Sequence, residues 1–143
     1  IDKELSRDRN FARESLLRML EPLVSDGLRV TVVFDGRAGR GSLKKYGHSG
    51  SFDVFYSSSS EGADGAIERM VMAAKYAAKI CVITNDNLIR NCAYSSGASA
   101  MRVDQMIKRL DHSIDQLTRR AKQTKVRRDS IEEPFHNRIE FFD

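Results

Sequence analysis

The chain has 143 residues, enough for one domain with its own hydrophobic core and too few for two. Apolar residues make up 41% and charged residues 31%, a balance that excludes a disordered polymer, and no apolar run is long enough to cross a bilayer. A net charge of +4, with an isoelectric point near 9.2, suits a polyanionic partner without requiring one.

Residues Leu5 to Val24 carry Phe11, Leu16, Leu17, Leu20 and Val24 at helical spacing, with Pro22 expected to kink or shorten the end and Asp26-Gly27 to close it. The run Arg29-Val30-Thr31-Val32-Val33-Phe34 before Asp35-Gly36 predicts a strand buried on both faces. Residues Gly36 to Gly50 read as a glycine-rich loop, Phe52 to Tyr56 as a short alternating strand, and Ser57 to Ser60 as a polar turn. Ile67, Met70, Val71 and Ala74 mark one face of a helix over Ala63 to Ala77. Ile80 to Thr84 predicts a second buried strand, and Asn85-Asp86 then caps a short helix through Cys92 that Gly97 ends. A brief strand within Ala98 to Val103 follows. A long helix comes next, with its inner seam at Val103, Ile107, Leu110, Ile114, Leu117 and Ala121. Residues 1–126 are thus expected to form the domain, and 127–143 a charged tail whose Ile131, Phe135, Ile139, Phe141 and Phe142 dock against it. Strands alternating with helices predict an open, mainly parallel sheet covered on both faces.

Cys81 and Cys92 lie inside apolar patterns and outside any CxxC pair, which predicts buried free thiols in a reducing cytoplasm. His48, His112 and His136 are too far apart in sequence to offer zinc-ligand spacing.

Open parallel sheets gather their sites beyond the carboxyl ends of the strands. Asp35 and Asp86 each follow a strand there, and Asp64 and Glu68 begin the helix after the serine turn, one helical turn apart on one face. Crowded carboxylates stay ionised when a cation lies between them, and an oxygen-only set suits Mg²⁺ or Mn²⁺. Each residue also has a structural reading: Asp86 as a helix cap, Asp35 as a turn former, Asp64 as a favourable charge at a helix start. Their equivalent placement favours the metal site. Glu61 reads as a solvated loop residue and Asp53 as outward-facing. Arg37, Arg40, Lys44 and Lys45, with Tyr46 to stack a base, are expected to track a single-stranded backbone beside the acids. Arg119, Arg120, Lys122, Lys125, Arg127 and Arg128 form a second basic run without an intervening acid, either a solvated helix face or a contact for RNA.

Three segments in order carry a resemblance: Arg29 to Gly36, Ala63-Asp64-Gly65-Ala66-Ile67-Glu68, and Val82-Ile83-Thr84-Asn85-Asp86. They resemble the YacP-like NYN family of the PIN-like nuclease group, over about Leu5 to Arg120. The resemblance implies a three-layer, Rossmann-like α/β domain and a divalent-metal endoribonuclease, with RNA and the ribosome as partners. It implies Asp64 and Asp86 as metal-site carboxylates, supported by Asp35 and Glu68. The family more often has Thr-Ser-Asp where this chain has Thr84-Asn85-Asp86, a change that keeps the acid. The family also opens on a central strand ending in Asp-Gly-Tyr-Asn, which supplies a further aspartate and has no counterpart here. Without it the sheet is expected to lack a central member and to leave its neighbours unpaired, unless an upstream strand or another chain completes it.

Two functions remain open on this reading: a metal-dependent endoribonuclease, and a catalytically impaired RNA- or ribosome-binding module. A phosphatase-like or nucleotide-binding protein ranks below both, because the glycines from Gly36 to Gly41 lack the Lys-Ser/Thr ending of a P-loop.

Overall fold

The computed structural model describes residues 2–25, 27–36, 39–126 and 138–142. Helix α1 (Asp2–Ser25) leads into strand β1 (Val30–Phe34), then β2 (Ser42–Lys45), β3 (Phe52–Tyr56) and α2 (Gly62–Ala73). A single 3-10 turn at Ala77–Lys79 precedes β4 (Ile80–Ile83), α3 (Asn87–Ser95), β5 (Ser99–Met101), α4 (Val103–Val126) and β6 (Arg138–Phe142). The six strands form one sheet in the order β2-β3-β1-β6-β4-β5. β1 runs parallel to β3 and β6, and β4 runs parallel to β6 and β5; β2 alone is antiparallel to its neighbour β3.

The expectation of an open central position is corrected by β6. This strand, from the segment expected to be a tail, lies between β1 and β4, with Val30 to Val33 in register with Ile139 to Phe142 and Ile80 to Ile83 in register with Arg138 to Phe141. Pairing on both sides satisfies main-chain groups that would otherwise be orphaned in the middle of the sheet. The remainder of the segment, 127–137 and Asp143, lies outside the described residues, as do Arg127, Arg128, Ile131 and Phe135 with it.

Strand pleating divides the core in two. Val30, Val32 and Phe34 of β1 join Phe52 and Val54 of β3 and Ile83 of β4 against Leu17, Leu20 and Leu23 of α1 and Met106 and Leu110 of α4. Val33 of β1 and Ile80 and Val82 of β4 face the other way, against Ala63, Ala66, Ile67 and Val71 of α2 and Ile89 and Ala93 of α3. The run of β-branched residues in β1 is therefore explained by helices on both of its faces.

Several local expectations change. Helix α1 continues through Pro22 to Ser25, although the proline has no N–H to donate to the Arg18 carbonyl, and Phe11 is 76% exposed and outside the stripe. The expected loop from Gly36 to Gly50 contains β2, an exposed edge strand whose Ser-Leu-Lys-Lys sequence carries no apolar alternation. On α4 the buried face is Met106 and Leu110, four residues apart, while Ile107 and Ile114 are 40% and 38% exposed. Asp53 points inward and is only 4% exposed; it pairs with Arg29 at 3.2 Å and Lys45 at 2.5 Å. Strand alternation places Asp53 on the face opposite Phe52 and Val54, where the Arg29 and Lys45 side chains meet it. Cys81 and Cys92 are free and half-buried, and burial raises the Cys81 thiol above its ordinary pKa.

Candidate functional site at the carboxyl pole of the sheet

The parallel strands bring the ends of β1 and β4 to one pole, and three of the predicted acids stand there. Asp35 follows Phe34 directly, and its Oδ1 accepts the Ala63 backbone N–H at 2.7 Å. The residue at the α2 N-cap, Glu61, makes no side-chain cap, so a carboxylate distant in sequence does that work and ties β1 to α2. The position of Asp35 is fixed further by Gly36, whose N–H donates to Ser57 Oγ at 3.3 Å, while Ser57 N–H donates to Phe34 O at 2.9 Å. A Cβ on Gly36 would lie 2.0 Å from the Ser57 carbonyl oxygen, so no other residue fits without a backbone shift.

Asp86 caps α3, its Oδ1 accepting from Leu88 N at 2.8 Å and Ile89 N at 3.3 Å. The buried Thr84 accepts the Asp86 N–H on its hydroxyl at 3.1 Å, and its carbonyl accepts from Arg90 at 2.9 Å. Asn85, the position where the resembled family more often has serine, accepts the Val103 N–H at 3.0 Å and so fixes the start of α4. The capping roles weighed for Asp35 and Asp86 are thus real. Each engages one carboxylate oxygen, Oδ1, in hydrogen bonds among the described residues, and its Oδ2 in none.

Asp64 lies in the first turn of α2 and makes no hydrogen bond or ion pair among the described residues. Its carboxyl is raised above the ordinary pKa of 3.8, first by desolvation and then by the negative fields of Asp86 and Asp35. That repulsion places the three acids in one electrostatic neighbourhood. They do not close further: among the described residues no three His, Cys, Asp or Glu side chains stand close enough to hold a metal ion as they are. Glu68 is half-buried one turn further along α2. Glu61 is engaged elsewhere, bound by Arg69 at 2.9 and 3.1 Å, and this contact lowers its pKa.

A group protonated more readily in the folded than in the unfolded chain loses stability as pH rises. For Asp64 the loss begins just above 3.8 and is complete at neutral pH. Asp64→Asn should therefore melt higher than the parent at neutral pH and lose that advantage below the ordinary carboxyl pKa. Thermal melts across this range check the sign; equal melting at neutral pH would show that neither desolvation nor the neighbouring acids disfavour the Asp64 carboxylate.

The predicted basic residues are dispersed. Lys44 rests 5.6 Å from the centroid of the Tyr56 ring, at the last residue of β3, and Arg40 is exposed just before β2. Lys45 lies at the other end of β2, held by Asp53 opposite Thr31. Tyr46 packs on Phe52 at 4.9 Å and donates to Glu14 at 3.1 Å, which removes it from the acids; burial first, and then the bond to Glu14, raises its pKa. Arg119, Arg120 and Lys122 lie on α4 about 24–28 Å from its start beside Asn85, at 1.5 Å per residue. Arg37 is outside the described residues. A cleft of about 500 Å³, lined by Gly27, Arg29, Ala74, Lys75, Tyr76, Lys79 and Ile80, opens at the amino ends of β1 and β4 and is remote from the acids.

Two residues with a place at the carboxyl pole escaped the sequence reading. Arg90 is half-buried on Thr84, and Arg13 of α1 lies over the Phe34 and Tyr56 rings at 5.1 and 5.7 Å. The periodicity of α1 places Arg13 one turn before Leu17, next to the buried stripe, and that position was the available signal.

The fold is thus an α/β sheet with helices on both faces that carries Asp35, Asp64 and Asp86 at its carboxyl pole. The chain belongs to the YacP-like NYN domain family, whose model matches residues 2–140. Membership implies a nuclease-type, RNA-related function. No curated protein and no solved structure matches the chain. Among the described residues no helix is long and apolar enough to cross a membrane.

Proposed function

We propose that this protein is a divalent-metal-dependent endoribonuclease with a three-layer, Rossmann-like PIN fold and a mainly parallel central sheet. The observation that carries the reading is the gathering of Asp35, Asp64 and Asp86 at the carboxyl pole of the sheet, with the Asp64 carboxyl raised first by desolvation and then by the fields of Asp86 and Asp35. Three acids gathered without a compensating cation cost stability, and a divalent ion at the same place removes that cost. The donor set fits: all donors are oxygens, Asp64 has no partner among the described residues, and Asp35 and Asp86 each keep one oxygen out of their caps. Asp64 and Asp86 are the proposed ligands, with Asp35 and Glu68 supporting them. The side chains need to close on the ion, since among the described residues no three stand within ligating distance as they are.

A bound Mg²⁺ or Mn²⁺ supplies activation of water and neutralisation of charge on the scissile phosphate. The protein's own part is to fix the carboxylates. Asp35 is locked between Gly36 and α2, Asp86 by Thr84 and α3, and Asp64 by its place in the first turn of α2. Arg40 and Lys44 approach the phosphate backbone from the edge of the sheet, while Arg119, Arg120 and Lys122 are far enough away to meet only a longer strand or a second surface such as the ribosome. The free thiols of Cys81 and Cys92 suit a reducing cytoplasm.

The test is cleavage of a labelled single-stranded RNA with Mn²⁺, Mg²⁺ or EDTA, alongside melting of the protein under the same conditions. Metal is expected to be required for cleavage and to raise the melting temperature of the parent more than that of Asp64→Asn. RNA binding without cleavage, and no effect of metal on melting, would replace the enzyme with an RNA- or ribosome-binding module.

A further inference from the structure

Of the cations near the carboxyl pole, Arg13 has the least explained environment. It is half-buried on α1, yet it makes no ion pair among the described residues. Its guanidinium lies over two rings at once, 5.1 Å from the centroid of Phe34 and 5.7 Å from that of Tyr56. Those rings are themselves 5.7 Å apart and belong to the last registered pair of β1 and β3, so Arg13 sits one residue short of Asp35 and Ser57. Lys44 lies against the same Tyr56 ring at 5.6 Å. Two cations therefore share one aromatic shelf beside the acids, with no carboxylate paired to either of them among the described residues.

Partly burying a guanidinium is unfavourable unless something repays its lost hydration. The rings do this in part through their π faces, and they hold the planar group in one orientation with its N–H edges still available. A fixed, unpaired fork of donors is suited to a phosphate, which accepts two parallel hydrogen bonds from it. We infer that Arg13 and Lys44, on the Phe34–Tyr56 shelf, form a phosphate subsite for the backbone of single-stranded RNA on the α1 side of the acidic pole. This rests on the endoribonuclease reading for the choice of polyanion, and it adds where the strand enters. The backbone is gripped between α1 and the β2–β3 edge, at the strand ends that precede Asp35 and Ser57. The two cations there also offset the repulsion that the carboxylates exert on an incoming phosphate.

The experiment measures binding of a fluorescent single-stranded oligoribonucleotide by anisotropy, in EDTA so that no cleavage intervenes, over a series of salt concentrations. Each variant is first checked by circular dichroism to be folded. Removing one phosphate contact lowers the slope of log affinity against log salt by about 0.7, and weakens binding about fivefold near 0.1 M salt. Arg13→Gln and Lys44→Gln should each do this. Arg13→Lys should keep the slope and lose part of the affinity, because the charge remains without the planar fork. Lys75→Gln, at the opposite pole, should change neither. If Arg13→Gln keeps the parent's slope and affinity, or if Lys75→Gln weakens binding just as much, the subsite is wrong. A parent chain that does not bind RNA also overturns it. A parent that binds in this pattern but does not cut with metal leaves the subsite standing and removes the nuclease reading.

Discussion

A chain ending at Asn137, and so lacking β6, is expected to lose cooperative unfolding altogether. β6 is the central strand, with four registered pairs to β1 and four to β4. A net 0.5–1.5 kcal/mol for each hydrogen bond makes its loss worth roughly 4–12 kcal/mol, comparable with the whole stability of a small domain at about 5–15 kcal/mol. Its removal would also open the buried β1 and β4 to water along their inner edges, the condition under which strands pair with other chains. The expected product keeps helical circular dichroism, binds an apolar dye and shows no sharp melting transition. Glu140→Pro tests the same point at full length. Glu140 is in register with Thr31 on one side and Val82 on the other, and proline removes a ladder donor from the middle of the sheet. A melting temperature unchanged in both would show that the sheet is held together without β6.

At Asp86 the structural and chemical duties can be separated by substitution. Its Oδ1 caps α3 through Leu88 and Ile89, and asparagine caps a helix as well as aspartate does, so Asp86→Asn should fold with the parent's stability. Asp86→Ala removes the cap and should cost about 1 kcal/mol. Cleavage should fall in both variants by at least the roughly 10–100-fold that even an outer partner of a metal site is worth, because an amide oxygen is a poor substitute for a carboxylate beside a divalent ion. Single-turnover cleavage at saturating metal, set beside urea denaturation, measures the two effects on the same preparations. If activity followed stability, with Asp86→Asn active and Asp86→Ala impaired, Asp86 would be a cap alone. If Asp86→Asn were folded and inactive, its second oxygen would carry the chemistry.

Local pattern determined a good deal of this protein. The β-branched runs at Val30–Phe34 and Ile80–Ile83 announced strands covered on both faces, since only a strand with helices above and below dispenses with polar alternation. Asn85-Asp86 announced a helix start, and the chain does cap there. The acids at Asp35 and Asp86 could be assigned to one pole because parallel strands deliver their carboxyl ends to the same side. Membership of the NYN family was legible in the same short segments.

Other features depended on contacts between residues far apart in the chain. The strand in the middle of the sheet is drawn from the far end of the sequence, which no local pattern reports, because pairing partners are chosen by tertiary register rather than by neighbours. Asp53 reads as outward-facing until Arg29 and Lys45 arrive from two other segments. Lys45 and Tyr46 lie close to Lys44 in sequence yet point to other tasks, because a strand sends successive side chains to opposite faces and carries them toward the opposite pole. Arg13, 22 residues before Asp35, is brought to the carboxyl pole only when α1 packs across β1 and β3. The sequence by itself determined which segments are strands and helices and which acids share a pole, because those follow from period and polarity. Only the tertiary structure decided what fills the centre of the sheet and which cations lie against the Phe34 and Tyr56 rings, because those are set by the packing of surfaces distant along the chain.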